Sequence, residues 1–591
     1  MKAKSIKETL GIVLMLAFFF TVVWVGKADE RAEKRLERQV ERTLKRMTTR
    51  QKVAQLIVSQ TDSYIFSDGH ALHTDTLVEI EGIGGLLVLQ DSLARYINRM
   101  NDLQAKAQVP LLISIDGEWG PSMRFGEFPF FPQQMQLGAL PSDSLIYEMG
   151  LAVAEQCKMV NIHINYAPVV DVNVNPKNPV IHARSFGEDR DKVTRYARAY
   201  MKGMQDGGII ACSKHFPGHG DTEVDSHKAL PILPFSRERL DSLELYPFRD
   251  QIKEGVEMIM MGHLHVPVLD SAVSSISYPI VTELLKNELG FKGLVVTDAL
   301  TMKGVSENLT APEIALAAYK AGVDILLKPG DIIAAIDRLE EAMNTGECSI
   351  DDLDERVRKT LRLKARFGML ERNYDATIDP TGIAERVQKP EHLALIQQMA
   401  EQSMTLVDNQ AGSLPLDLSK KIAYVAYNAK HIPMHREYGD IEGLSGYNPE
   451  TGMVDSTTLM YQHLLKMTME QAGEVHYFAL DKKSTKKDIT KVYAQLADYD
   501  VVVLACHDPR GRSRKDLIAE DHLKALDKLV KKYHPVLVHY GSPYGLSNLP
   551  WREQLGAVLV AYKDSESNQK AAAKVLTGEI EAVGVLPVTV E

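Results

Sequence analysis

Residues 214–227 read Lys-His-Phe-Pro-Gly-His-Gly-Asp-Thr-Glu-Val-Asp-Ser-His, placing three histidines and two aspartates within one short stretch. Gly and Pro break both helix and strand, so the segment is expected to be an irregular loop. It follows Gly208-Ile209-Ile210-Ala211-Cys212, an apolar run short enough to be a buried strand. A polar, titratable loop at the end of a buried strand is where catalytic groups tend to sit. Two plainer readings compete. The segment could be a Gly-rich turn with structural histidines, or His215, His219, Asp221 and His227 could ligate zinc or iron in a metal-dependent hydrolase. Their spacing does not match the helical H-E-x-x-H pair, and no metal or other cofactor is expected.

The elements that must position this loop are legible as alternation. Short apolar runs occur at 85–89, 110–115, 166–170, 208–212, 258–261, 294–296 and 323–327, separated by longer stretches of helical periodicity. Runs of this kind read as parallel strands buried on both faces. Their number fits a TIM-like (β/α)8 barrel better than an open doubly wound sheet. Polar residues follow the runs: Asp116 and Glu118, Asp171, His215, His263 and His265, Asp298, Lys328. A barrel builds its active site on that carboxyl-terminal rim, so the strand pattern and the polar pattern agree.

A second α/β pattern starts near Ser403, with candidate strands at 422–426, 501–505, 535–539 and 557–561 and helical segments near 457–469 and 521–532. It reads as a smaller αβα layered domain, and no Gly-rich nucleotide motif stands at its turns. The expected organisation is a signal peptide or membrane anchor over 1–28, a barrel domain over 29–372, a linker and connecting helix over 373–400, and the layered domain over 401–591. Within the barrel domain, Thr48 to Gln51 has the form of a capping box opening a helix.

The chain of 591 residues is too long for one core. Its hydrophobic content of 45% is that of globular protein, and its net charge of −11 disfavours nucleic acid as a partner. Four scattered cysteines, Cys157, Cys212, Cys348 and Cys506, point to buried thiols rather than a disulfide framework. Lys2, Lys4 and Lys7 precede an apolar run from Leu10 to Val25, the form of an export signal. The expected location is the periplasm or cell envelope, with membrane anchoring through residues 10–25 if the run is retained.

The loop resembles glycoside hydrolase family 3 in its β-N-acetylglucosaminidase branch. The resemblance covers nearly all of the chain after the first segment, and rests on 214–227, Asp116-Gly117-Glu118-Trp119-Gly120 with Arg124, Arg184-Ser185-Phe186-Gly187, and Val296-Thr297-Asp298-Ala299. It implies an exo-acting, retaining enzyme that removes terminal β-linked GlcNAc from glycans such as peptidoglycan fragments. The resemblance makes Asp298 the nucleophile, His227 the acid/base and Asp225 the residue that orients His227. It makes Asp116, Arg124, Arg184, Lys214 and His215 substrate clamps. Physically, a retaining glycosidase needs a nucleophile below the anomeric carbon and a proton donor near the leaving oxygen. An imidazole with pKa near ~6.5 can serve as acid and then base near neutral pH.

The plainer alternative for Asp298 is a helix N-cap, with a helix starting near Ala299; for the clamps it is rim ion pairs. The chain departs from the family pattern at Trp119, where a second Gly is common, and at Arg190, where Pro is common. The competing functions are a β-glucosidase or β-xylosidase of the same family, a GlcNAc phosphorylase, the metal-dependent hydrolase, and a non-catalytic glycan-binding protein. The sugar-cleaving relatives in the first of these lack the long His-rich loop.

Overall fold

The computed structural model describes residues 31–61, 73–226, 228–305, 309–409, 412–429, 447–448, 453–454, 458–508 and 518–590. The export or anchor segment over 1–28, and His227, lie outside the described residues. Among the described residues no helix is long and apolar enough to cross a membrane.

Eight parallel strands form the first sheet: β1 (Ile57–Gln60), β2 (Gly85–Val88), β3 (Leu112–Ile115), β4 (Ile164–Asn165), β5 (Ile210–Phe216), β6 (Met258–Met261), β7 (Leu294–Thr297) and β8 (Leu326–Leu327). They run in sequence order, with β8 also pairing with β1. Val296 bridges Ile325 in parallel and the Thr297 N–H donates to the Ile325 carbonyl at 3.1 Å, so the barrel is nearly closed. Alternate strand residues feed two cores. Val58, Leu87, Leu112, Ile164, Ile210, Met258 and Val296 fill the barrel interior, while Ile57, Leu86, Ile113, Ile259 and Val295 pack against the helices. Leu93–Lys106 shows why the helices form. Ser92 caps it by accepting from the Arg95 N–H, and Leu93, Tyr96, Ile97, Met100 and Leu103 make one buried face at helical spacing. The Thr48 capping box is present on the helix Thr49–Ala54.

Three strand expectations shift. The run at 166–170 is not a strand: β4 ends at Asn165, and Pro168, which has no N–H for a ladder, sits in the loop after it. The run at 323–327 shortens to β8 because the Asp324 carboxylate accepts the Val295 N–H at 2.8 Å where a ladder bond would stand. β1 went unread because Ser59 and Gln60 end its apolar run early. The helix expected near Ala299 is also absent: residues 298–305 form turns, and the next helix is Ala311–Ala321.

The helix Pro390–Ser403 leads into the second domain. Its sheet contains β9 (Thr405–Asp408), β10 (Lys421–Tyr427), β13 (Glu474–Leu480), β14 (Val501–His507), β15 (Val536–Tyr540) and β16 (Ala557–Val560), and a separate pair is made by β11 (Tyr447–Asn448) and β12 (Met453–Val454). The strand order is β13-β10-β14-β15-β16-β9, parallel except for β9. One face packs Tyr424, Val503 and Val538 under Tyr461, Leu464 and Leu576, and the other packs Val425, Leu504 and Leu537 under Ile489, Leu526 and Trp551. This is the expected αβα layering. β9 and β13 were not anticipated, because β13 alternates polar and apolar residues and β9 is an edge strand ending in Asp408. All four cysteines are free thiols.

Candidate active site

The rim residues converge. Asp116 and Glu118 follow β3, Lys214 and His215 end β5, Asp298 follows β7, Lys328 follows β8, and Arg184 comes from a short turn at 182–184 in the connection after β4. Glu118 is the hub of a buried ion network. The Arg184 Nε lies 3.0 Å from both Glu118 oxygens and its Nη2 lies 2.6 Å from Oε1. The Lys214 ammonium is 2.8 Å from the same Oε1 and also bonds Asp116 Oδ1, while Arg124 Nη2 is 3.0 Å from Asp116 Oδ2. Glu118 and Lys214 side chains are 1% and 2% exposed, and Asp116 is 28% exposed. The network therefore leaves Asp116 partly exposed and keeps its hub buried. Burial alone would raise the Glu118 pKa, but Arg184 and Lys214 outweigh it and hold the carboxyl below the usual range. Burial lowers the Lys214 pKa, and Asp116 with Glu118 more than restores it, so the ammonium stays charged.

The His215 tautomer follows from its partners. Its Nδ1 lies 2.7 Å from Asp171 Oδ2, and its Nε2 lies 3.2 Å from Arg184 Nη2. A guanidinium only donates, so Nε2 accepts and the ring proton sits on Nδ1, donating to Asp171. The other Asp171 oxygen accepts the backbone N–H groups of His215 at 3.3 Å and His219 at 2.6 Å. His219 bonds Thr222 Oγ1 through Nδ1 at 2.8 Å, and burial pushes its pKa down to about 4. It is therefore neutral near pH 7.

Asp298 is pinned at both ends of its residue. Its N–H donates to the Met261 carbonyl at 2.9 Å, and its Oδ1 accepts the Ala299 N–H at 2.7 Å. Burial raises its pKa, yet His263, His215, the Ala299 N–H and Lys214 together bring it below the ordinary value. His263 secures the same turn: its Nε2–H donates to the Ala299 carbonyl at 3.1 Å, and its Nδ1 shares a hydrogen bond with the Ser275 hydroxyl at 2.7 Å. The rim thus holds an ionised carboxylate at the end of a strand, beside two histidines and a lysine.

The loop carrying Asp225 reaches the same rim. A Cβ placed on Gly304 would stand 3.0 Å from the Ser226 carbonyl and 3.5 Å from His263 Cβ, so residue 226 packs beside the turn after Asp298. Asp225 is half-buried, with Lys228 Nζ 3.8 Å away. Among the described residues no group of three His, Cys, Asp or Glu side chains is disposed to hold a metal ion. Of the ligands considered for one, His215 spends both ring nitrogens on Asp171 and Arg184, and Asp221 pairs with Arg239 at 3.2 Å. The two departures lie aside: Trp119 packs on Phe130, and the Arg190 guanidinium lies 4.0 Å over the Tyr246 ring.

The Glycosyl hydrolase family 3 N terminal domain matches residues 48–363, and the C-terminal domain of the same family matches residues 404–591. The chain belongs to glycoside hydrolase family 3. It is 28% identical over 577 residues to a beta-hexosaminidase A of Pseudoalteromonas piscicida, covering 87% of this chain and 90% of the relative. It is also 28% identical over 360 residues to a beta-N-acetylglucosaminidase/beta-glucosidase of Cellulomonas fimi, covering 59% and 63%. A solved family 3 beta-N-acetylglucosaminidase from Paenibacillus sp. str. FPU-7 superposes with a TM-score of 0.74 at 29% identity, covering 92% of this chain and 99% of that one. The family 3 barrel thus carries a rim in which Asp116, Arg124, Arg184, Lys214 and His215 meet. Glu118, Asp171 and His263 stood in the sequence as rim residues without roles, because their partners are remote in the chain.

Proposed function

We propose that this family 3 chain is an exo-acting, retaining β-N-acetylglucosaminidase acting on terminal β-linked GlcNAc, with peptidoglycan fragments as the natural substrate class. The observation that carries the reading is the ionised Asp298 held on the barrel rim among His263, His215 and Lys214. Asp116 accepts from sugar hydroxyls, while Arg124, Arg184, Lys214 and His215 fix the orientation of the ring that Asp116 holds.

In the first step an Asp298 oxygen bonds to the anomeric carbon as the bond from that carbon to the leaving oxygen breaks, and the His227 imidazolium gives its proton to that oxygen. Asp225 orients the ring and stabilises its charged form. In the second step water attacks the glycosyl-aspartate, its proton passes to His227, and Asp298 leaves as carboxylate. A neutral imidazole repels an incoming anion less than a carboxylate does, so phosphate competing with water is the outcome to check in phosphate buffer. Sugar 1-phosphate would make the chain a phosphorylase.

Release of nitrophenol from the β-N-acetylglucosaminide and the β-glucoside, with Asp298→Ala in parallel, tests the reading. Strong preference for the acetamido sugar, lost in the variant, supports it. Preference for the glucoside moves the chain to the β-glucosidase reading, for which the double name of the Cellulomonas fimi relative speaks.

We infer further that residues 1–28 export the chain to the periplasm or cell envelope. Cell fractionation with N-terminal sequencing distinguishes a cleaved signal from an anchor retained through residues 10–25. Recovery in the cytosol with Met1 intact overturns the inference.

A further inference from the structure

Arg184 holds Glu118 and faces His215, yet the turn that carries it is not held by the barrel alone. The turn closes through the Arg184 N–H to the Ile181 carbonyl at 2.8 Å, and its hinge is His182 at φ +42°, a left-handed conformation that side chains with a Cβ avoid. Such a residue persists where its surroundings over-determine it. Here the His182 N–H donates to Asn173 Oδ1 at 3.0 Å, and Asn173 Nδ2 donates to the Tyr544 hydroxyl at 2.9 Å. The Tyr544 ring lies 5.2 Å from the His182 ring, and Ser542 Oγ lies 3.5 Å from His182 Nε2. Asn173, Ser542, His182 and Tyr544 are all buried. Tyr544 and Ser542 belong to the second domain, on the turn that follows β15, where His539 bonds the Ser542 carbonyl at 2.7 Å.

The same barrel segment is gripped again beyond Arg184. The Glu188 N–H donates to the Pro587 carbonyl at 3.1 Å, and the Thr589 N–H donates to Glu188 Oε1 at 2.9 Å. Gly187 is close enough that an added Cβ would lie 2.3 Å from the Pro587 carbonyl oxygen.

The geometry points to Tyr544 and Ser542 of the second domain as positioning residues for Arg184, acting through Asn173 and His182. The second domain then tunes a guanidinium in a site whose described residues lie on the barrel rim. The inference rests on the reading of Arg184 as a substrate clamp. The bonds are directional and end two residues from that clamp, where a displacement near 1 Å is enough to be felt in rate.

The test is a double-mutant cycle in the full chain, with Tyr544→Phe, Ser542→Ala and Arg184→Ala, on whichever nitrophenyl glycoside the wild type turns over. Tyr544→Phe keeps the ring and removes the hydroxyl. The expected result is a loss in kcat/KM of roughly tenfold, carried mostly in KM, with only the modest fall in melting temperature that follows from leaving the buried Asn173 amide without the hydroxyl. In the Arg184→Ala background the same substitution should cost nothing further, because its effect passes through the missing side chain. Losses that multiply independently, or kinetics untouched by both second-domain variants, overturn the inference. A crystal structure of Tyr544→Phe gives an answer that does not depend on turnover. An Arg184 guanidinium unmoved from Glu118 counts against positioning even if no glycoside is cleaved, whereas absence of turnover in the wild type counts only against the proposed function.

Discussion

The Asp171 carboxylate accepts a hydrogen bond from the Nδ1–H of His215 and so turns the bare Nε2 of that ring toward Arg184. One buried acid thereby sets the tautomer of a rim histidine and, through the backbone N–H groups of His215 and His219, the path of the loop itself. Asp171→Asn presents an amide that can donate to Nδ1 and reverse the tautomer, leaving an N–H aimed at a guanidinium. Loss of kcat/KM on the order of tenfold to a hundredfold is expected, by analogy with tautomer reversal and misplacement in other sites. Steady-state kinetics with a melting curve decides it, since a purely structural role would lower the melting temperature without this kinetic loss.

Glu118→Gln should be a stability variant as much as a kinetic one. The substitution leaves Arg184 and Lys214 buried beside an amide, and breaking a buried pair of this kind costs about 3–5 kcal/mol. The pH dependence has a definite sign. The folded pKa of Glu118 lies below its ordinary 4.5, so its contribution is present above pH 4.5 and is lost as pH falls further toward the folded value. The gap in melting temperature between wild type and Glu118→Gln should therefore be full at neutral pH and narrow below pH 4.5. A gap that widens on acidification refutes the assignment of Glu118 as the charged hub.

His227→Ala should discriminate among leaving groups. A good aryl leaving group departs with little help, whereas a sugar alcohol needs its oxygen protonated, and general acid catalysis contributes roughly 10²–10⁴-fold. The variant is expected to lose that factor on GlcNAc disaccharides and far less on nitrophenyl glycosides. Equal losses across the series would remove His227 from the acid role.

The pH profile separates the two groups proposed for catalysis. The pKa of Asp298 is held below 3.8, so its ionisation is complete well before neutrality. Any limb of kcat/KM between about pH 5 and 8 then belongs to an imidazole. That limb should disappear in His227→Ala measured with an activated aryl substrate, while a limb that survives unchanged would point to another histidine.

Much of the site was legible because it depends on local order along each strand. An apolar run followed by a polar residue places Asp116, His215 and Asp298 on one rim, and the structure brings those residues together with Arg124, Arg184 and Lys214. Glu118 as a hub was not legible, since its partners Arg184 and Lys214 are set by the fold and not by spacing. Pro168 and Asp324 misled the reading of β4 and β8, because each interrupts ladder bonding inside a run that is apolar by composition. Tyr544 had no signal at all: a tyrosine after a buried strand is ordinary, and its contact with Asn173 crosses from one domain to the other.

Both sheets are finished by strands drawn from opposite ends of their domains. In the barrel β1 meets β8, with Ile57 opposite Leu326, and in the second sheet β9 meets β16, with Leu406 opposite Leu559. Pairings that remote in sequence make folding slow, because loop-closure entropy is lost long before the contacts repay it. A nascent chain that has not yet reached Leu326 has no partner for β1, and exposes that strand edge to other chains. The enzyme's vulnerable period is therefore its synthesis, and its yield in a cell should respond to translation speed and chaperone supply more than to the stability of the finished molecule.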